Sequence, residues 1–393
     1  MAPRVLSGMR PTGPLHIGHW EGVLKNWVAL QKESECFFFA ADWHVLTTDY
    51  ERAKDVKETV RENVADWIAT GVDPEKSTLF VQSEVKEHAE LFLLLGMLVP
   101  IPWLERNPTY KEQLNELRKV HISPPLLEKI SKELAAKGKK DLAIRLSTVV
   151  GEEAPPEALQ GVMEEVKPFL SEEVFTRLKD AATARDLSTL GFLGYPVLQT
   201  ADIVIYKAGR VPVGEDQLPH IELSREIVRR FNSLYGNALV EPQALLTPTP
   251  RLLGTDDRKM SKSYGNAVFL GDSAEETEAK LKPMKTDPAR KRRTDPGDPD
   301  KCNVFSWHRV YSSPEEQEDC AKKCRTAAFG CLDCKMVLVH NLNRTLAPVR
   351  EKRAELLSAP KRIDEILGDG AVRARRIAGE TLKEVRRAMK LDG

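Results

Sequence analysis

At 393 residues the chain has room for two or three domains and a sizeable core. Its 59 basic residues match its 59 acidic ones, so nucleic-acid binding cannot rest on global charge and must use local basic patches. No apolar run reaches the roughly 18 residues of a membrane helix, and MAPRVLSGMR lacks a signal-peptide core. The expectations are a cytoplasmic protein without a membrane span, and six cysteines used as thiols or metal ligands rather than disulfides.

Val5 and Leu6 close a short apolar run, after which Gly8, Pro11, Gly13 and Pro14 break regular structure. Trp20, Val23, Leu24, Trp27 and Leu30 then recur at helical spacing. The stretch reads strand, turn, helix, with His16 and His19 at the helix entrance. Free N–H groups and the positive end of the helix dipole suit an anion there. Two imidazoles three residues apart share a face of the first turn and add donors. Gly18 between them leaves room for a flat ring or a backbone. Taken alone, this His-x-x-His reads equally as a helix start with locally satisfied histidines.

Residues 36–41 form an apolar run ending at Asp42-Trp43-His44, and residues 79–81 a second ending at Gln82-Ser83-Glu84. Both read as buried parallel strands. Between them Val56, Val60, Val64 and Ile68 mark a helix face stopped by Gly71 and Pro74; residues 87–98 read as another helix. The alternation predicts an α/β fold with a doubly wound parallel sheet. His16, Asp42, His44 and Gln82 all follow strands, so they face one crevice.

Residues 113–186 differ in texture and read as a helical insertion or a loosely attached lobe, mainly a solvated appendage without chemistry. Helices are expected over residues 126–134 and 162–178, the second split at Pro168. The sheet pattern resumes at Gly191. Residues 194–202 lead into Ile203-Val204-Ile205-Tyr206, which reads as a strand. Residues 211–217 lead into a helix carrying Ile221, Ile227, Val228 and Phe231. Asp202 is a carboxylate among Leu198, Ala201, Ile203 and Val204, a setting where burial requires a partner. Lys259-Met260-Ser261-Lys262-Ser263, between Gly254 and Gly265, reads as a mobile surface loop. From residue 273 the chain turns polar and helical, with a basic stretch over residues 282–293 and arginines at 373, 375, 376, 386 and 387. The expected division is a catalytic domain over residues 1–272 and an all-helical domain over residues 273–393.

Together, His16-Ile17-Gly18-His19 and Lys259-Met260-Ser261-Lys262-Ser263 resemble the two signatures of class I aminoacyl-tRNA synthetases. Ser7-Gly8-x-x-Pro11-Thr12-Gly13, Gln82-Ser83-Glu84-Val85, Tyr195-Pro196-Val197-Leu198-x-x-Ala201-Asp202-Ile203 and Val213-Gly214-Glu215-Asp216-Gln217 look like the bacterial tryptophanyl-tRNA synthetases. The resemblance covers about half the chain. It implies activation of L-tryptophan by Mg2+-ATP, transfer of the tryptophanyl group to tRNA(Trp), a homodimer, and anticodon binding by the C-terminal helices. It assigns His16, His19, Lys259 and Lys262 to catalysis. Arg10, Thr12, Gly18, Gly214, Asp216, Gln217, Met260, Ser261 and Ser263 fall to ATP. Leu6, Gly8, His44, Tyr195, Gln199, Asp202, Val211 and Val213 fall to tryptophan.

Gln199 departs from the methionine common in that family, and Tyr-x3-Gln-x2-Asp at Tyr195, Gln199 and Asp202 also fits tyrosyl-tRNA synthetases. Those carry a tyrosine at the position of Leu6, which here offers no hydrogen bond. An indole N–H only donates and a carboxylate only accepts, so Asp202 alone serves tryptophan, whereas a phenol would lose its second partner. The remote alternative is a non-catalytic tRNA- or amino-acid-binding paralogue.

Cys302, Cys324, Cys331 and Cys334 form a C-x21-C-x6-C-x2-C set, which by spacing suits zinc or an iron–sulfur cluster. A subset of the tryptophanyl family is similar here and holds a [4Fe–4S] cluster, which implies the same group in this chain. The first gap is one residue short of that pattern, and this leaves Cys320 as a rival ligand.

Overall fold

The computed structural model describes residues 3–108, 110–111, 122, 124–151, 156–182, 189–246, 252–262 and 264–391. Two compact units partition the chain: Met1–Val99 with Tyr195–Gly393, and Pro100–Gly194.

The larger unit is built on five parallel strands: β1 (Arg4–Met9), β2 (Glu35–Ala40), β3 (Ser77–Val81), β4 (Arg210–Val213) and β5 (Gln243–Leu246). Their spatial order is β3-β2-β1-β4-β5. The order reverses between β1 and β4, and the crevice for a ligand opens at that point, beyond the carboxyl ends of the strands. The expected α/β class holds. Side chains alternate across β2: Phe38 stacks on Trp27 at 4.3 Å between centroids, while Phe37 stacks on Tyr206 at 4.8 Å and Phe39 on Phe80 at 5.5 Å. Both faces are covered, which is why the strand reads as an unbroken apolar run.

Helix α1 (residues 17–30) follows β1 and includes a π-helical turn at Trp20–Leu24. Helices α2 (Asp42–Asp49), α3 (Val56–Ala69) and α4 (Glu87–Gly96) complete the first half. Helix α5 (Tyr195–Val204) precedes β4, and α6 (Leu218–Tyr235) follows it. The strand expected at Ile203-Val204-Ile205-Tyr206 is not formed. α5 continues through Val204, the Ile205 N–H still donates to the Ala201 carbonyl, and the chain turns at Lys207 with φ of 51° before β4 begins. Residues 201–206 are buried throughout, and an apolar run with no polar side carries no period that separates strand from helix.

The C-terminal helices α7 (Ala274–Leu281), α8 (Asn303–Tyr311), α9 (Pro314–Arg325), α10 (Cys331–Ser358) and α11 (Pro360–Ala388) belong to the same compact unit as the sheet. α11 packs directly on β3. A Cβ at Gly370 would stand 1.7 Å from the Leu79 carbonyl oxygen, so only glycine permits that approach. Arg353 donates to the buried Asp66 of α3 at 2.7 Å, and Arg61 forms a two-pronged bond to Asp364.

In the smaller unit, helices Pro124–Ala136, Lys140–Gly151, Pro156–Val166 and Glu172–Ala182 bury Leu126, Ile130, Leu134, Leu146, Val166, Val174 and Leu178 against one another. The appendage expected here has a core of its own. A 3-10 turn at Lys167–Phe169 splits the expected long helix at Pro168, which cannot donate to a helical ladder.

Candidate active site

The chain leaves β1 at Met9, rises over Gly13 and enters α1 at His16. His16 is the N-cap of α1, and its backbone N–H donates to His19 Nδ1 at 3.2 Å. The two rings stack with centroids 3.7 Å apart. Burial lowers His16 to about 4, with the Lys262 charge adding to the effect. His19 falls to about 3 through burial, then His16 and Lys262. Both rings are therefore neutral at neutral pH. Since His19 Nδ1 accepts, its proton sits on Nε2, ready to donate. The pair acts through N–H dipoles at a helix entrance rather than as two cations.

The lysine-bearing loop closes over this corner. Ile17 N–H donates to the Val268 carbonyl and Leu270 N–H to the Leu15 carbonyl, each at 2.9 Å, with His16 bridged to Phe269 between them. A Cβ on Gly18 would stand 3.0 Å from His16 Nδ1 and 3.4 Å from Met260 Sδ, so the bare backbone is where the first motif and the loop meet. A Cβ on Gly13, at φ of 129°, would lie 3.4 Å from Lys262 Nζ. Burial draws Lys262 down to about 8, and the Asp66 carboxylate opposes the fall. Lys262 thus joins His16 and His19, whereas Lys259 is exposed. The remaining loop position expected to meet ATP, Ser263, lies outside the described residues.

Asn266 organises this loop and was not singled out from sequence. Its Oδ1 accepts from Ser261 N–H at 2.8 Å, and its Nδ2 donates to Asp256 Oδ1 at 2.6 Å and the Lys259 carbonyl at 3.1 Å. Asp256 also accepts from Arg258 Nε at 2.7 Å. One amide therefore ties both ends of the lysine segment together. Asp66, beneath Lys262, was likewise missed; burial raises it to about 6 although Arg353 pulls the other way.

Across the crevice, Asp202 is fully buried at 1% exposure. His44 Nε2 donates to it at 2.9 Å, Gln82 Nε2 reaches both oxygens at 2.9 and 2.8 Å, and His88 Nδ1 donates to Oδ1. His88 in turn meets Tyr206 Oη through Nε2 at 2.6 Å. Burial alone would raise the Asp202 carboxyl, but His88 and His44 outweigh it and hold the group below its ordinary range. His88 was not identified from sequence. Its signal was a histidine on the apolar face of a helix, a pattern shared with many core histidines.

Tyr195 packs edge-on against His44 at 4.5 Å and His220 at 5.4 Å, and burial raises its phenol. Gln199 Oε1 and Gln82 Oε1 are buried without a partner among the described residues. Leu6, Val211 and Val213 are buried apolar strand positions. Gly8 is explained by packing, since the Phe39 ring would stand 2.4 Å from a Cβ there. Gly214 turns the chain after β4; a Cβ would meet Asp216 Oδ1 at 2.7 Å, and Gln217 donates to Asp216 at 3.0 Å. Arg10 is held by Thr48 and Asp49 of α2, and Thr12 is exposed beside it. Asp42, expected in the crevice, accepts from the N–H groups of Trp43 and Ser83 and joins the ends of β2 and β3.

The cysteines gather where α8, α9 and α10 meet. Cys302 is the N-cap of α8, Cys320 and Cys324 lie in α9, and Cys331 and Cys334 open α10. Burial raises the Cys324 thiol; Arg290, 3.8 Å away, opposes this, and Cys302 and Cys331 push it further up. Cys320, then burial, raise Cys334, with Cys302 and Cys324 adding. The closest grouping among the described residues is His308, Cys320 and Cys334, whose ligand atoms all lie within 4.8 Å of one another. His308 was not foreseen; its Nε2 is 3.3 Å from Cys334 Sγ.

The family model for class I tRNA synthetases (W and Y) matches residues 1–130 and 145–347. The chain belongs to this family. Among its relatives, the tryptophan–tRNA ligase of Aquifex aeolicus is 50% identical, covering 99% of this chain and 100% of the relative. That of Thermotoga maritima is 45% identical, with 99% of each covered. A solved tryptophanyl-tRNA synthetase from Campylobacter jejuni, complexed with ADP and tryptophan, superposes with a TM-score of 0.75 at 28% identity, covering 98% of this chain and 99% of that one. The matched ranges include the corner at His16, His19 and Lys262, Asp202, and the cysteines over residues 302–334.

Proposed function

We infer that the crevice activates L-tryptophan with ATP and transfers it to tRNA(Trp), the activity of a tryptophan–tRNA ligase. The single observation that carries this reading is the closure of Lys262 onto the stacked His16–His19 pair, at the strand-order reversal that also faces Asp202. The tryptophan carboxylate attacks the α-phosphate and pyrophosphate leaves. Both reactants need positioning and charge neutralisation more than covalent help. His19 Nε2–H and the N-terminus of α1 hold the phosphates, with Arg10, Thr12, Gly18, Gly214, Asp216, Gln217, Met260, Ser261 and Ser263 around the nucleotide. Lys262 and Lys259 follow the pyrophosphate as the loop closes. ATP enters as its Mg2+ complex. Tyr195, Gln199, His44, Leu6, Gly8, Val211 and Val213 surround the amino acid, and Asp202 receives the indole N–H. ATP–pyrophosphate exchange with each amino acid tests the reading: tryptophan should support it and tyrosine should not, and preference for tyrosine overturns it.

The cysteine region is read as a structural [4Fe–4S] site with Cys302, Cys324, Cys331 and Cys334 as ligands. In support, the four thiols gather where α8, α9 and α10 meet, near enough that Cys302 and Cys331 bear on Cys324, and Cys302 and Cys324 on Cys334. Held there, a cluster would cross-link α8, α9 and α10 through these cysteines, and aminoacylation, which transfers no electrons, asks no redox part of it. Brown anaerobic protein with about four irons per chain supports this reading. One zinc held by Cys334, Cys320 and His308 overturns it. The helices of residues 273–393 bind the anticodon region, and the enzyme works as a cytoplasmic homodimer. Among the described residues no helix is long and apolar enough to cross a membrane.

A further inference from the structure

We propose that α8 is a strut for the ATP loop: Asn303 and Trp307 are positioning residues for the activation step, and the cysteine site on the neighbouring face of the helix braces them. The strut rests on the proposed role of the Lys259–Lys262 loop at ATP. Asn303 Nδ2 donates to the Gly254 carbonyl at 2.7 Å, and Trp307 Nε1 donates to the Leu253 carbonyl at 3.1 Å. These two carbonyls are the hinge from which the loop springs. Leu253 bridges to Lys259, and Gly254 N–H donates to the Arg258 carbonyl at 2.7 Å. Both side chains are buried, so an unmade bond would leave a polar group out of water.

The spacing makes the strut. Positions 303, 307 and 311 fall on one stripe of a helix. Tyr311, the last of them, is raised by burial and by the nearby Glu21, which lies in the π turn of α1 just behind His19. One stripe of α8 thus touches the loop hinge and the helix of the first motif. About 100° round the helix from Trp307 lies His308, whose Nε2 meets Cys334 Sγ and whose Nδ1 meets Ser312 Oγ at 2.7 Å, while Cys302 caps the helix start. Cys302 is next in sequence to Asn303, so one helix start joins a sulfur to the hinge of the segment that carries Lys262. None of these contacts reaches Asp202.

The test uses the full-length enzyme. Wild-type protein must first show tryptophan-dependent pyrophosphate exchange; if it does not, the functional reading falls, independently of the strut. Asn303→Asp keeps the volume and removes the donor. It should lower kcat/KM for ATP about tenfold or more. Trypsin should cut faster at Arg258–Lys262, while the tryptophan Kd by equilibrium dialysis and the metal content stay at wild-type values. Trp307→Phe should act in the same direction, and Asn303→Asp carries the test alone if that variant does not fold. Cys331→Ser should loosen the loop to trypsin in the wild-type background and add little in the Asn303→Asp background. Unchanged ATP dependence and proteolysis in Asn303→Asp, or an equal loss of tryptophan binding, overturns the strut. Additive effects of Cys331→Ser overturn the brace.

Discussion

The two sides of the crevice solve opposite problems. At the corner proposed for the nucleotide the charges are few and loosely held: two neutral imidazoles, and one lysine drawn down to about 8 on a loop stitched together by a single asparagine. At the side proposed for the amino acid one carboxylate is locked by three side chains, with a tyrosine behind the second histidine. A group that must follow charge as pyrophosphate departs has to move. A group that must tell one ring from another has to be organised before the ring arrives. Fixed hydrogen bonds serve discrimination, and a tethered cation serves the transition state.

This contrast predicts that the two sides fail differently. The largest effect belongs to Lys262→Ala. Adenylate formation in single-turnover experiments should slow by roughly 10³-fold while the tryptophan Kd changes little, because the lysine meets charge that develops only as the reaction proceeds. Equal losses in binding and rate would erase the distinction between the sides. Asp202→Asn comes next. It sets an amide against His44, His88 and Gln82 donors, and should cost about 2–3 kcal/mol of tryptophan binding, roughly a hundredfold in Kd. ATP binding should stay near wild type; a matching rise in the ATP Kd would show that the sides are coupled.

A smaller loss is expected from His88→Gln, which can still reach Asp202 but not Tyr206 at the same time. The KM for tryptophan should rise roughly tenfold with the KM for ATP unmoved. If kcat falls and KM does not, His88 acts on the reaction rather than on the amino-acid pocket. The smallest effect is a pH dependence. Lys262 is protonated below about 8 and loses its charge as pH rises through that value. kcat/KM for ATP should therefore fall on the alkaline side, by about twofold between pH 7 and pH 8. Lys262→Arg should push that limb to higher pH, since guanidinium stays charged.

The nucleotide corner was legible because its parts are local. A strand, a glycine-rich turn and a helix entrance lie within residues 4–19, and the second motif is one short loop, so residue type and spacing already mark both segments. β2 and β3 were legible for the same reason, as apolar runs between turn signals. The insertion's split at Pro168 follows from one residue's missing N–H. Residues 203–206 were misread because burial on all sides removes the period that tells a strand from a helix.

By itself, then, the sequence determined the α/β alternation, the two charged motifs and the gathering of cysteines near the start of the last helices. Only the tertiary structure decided that Asp202 shares its oxygens with His88 and Gln82, more than a hundred residues away. It alone set Asn266 as the clasp of the loop, joined His308 and Cys320 to Cys334, and brought α8 against Leu253 and Gly254. The physical reason is common to all four. A buried polar side chain takes whichever partner packing brings within 3 Å, and the distance along the chain carries no trace of that choice.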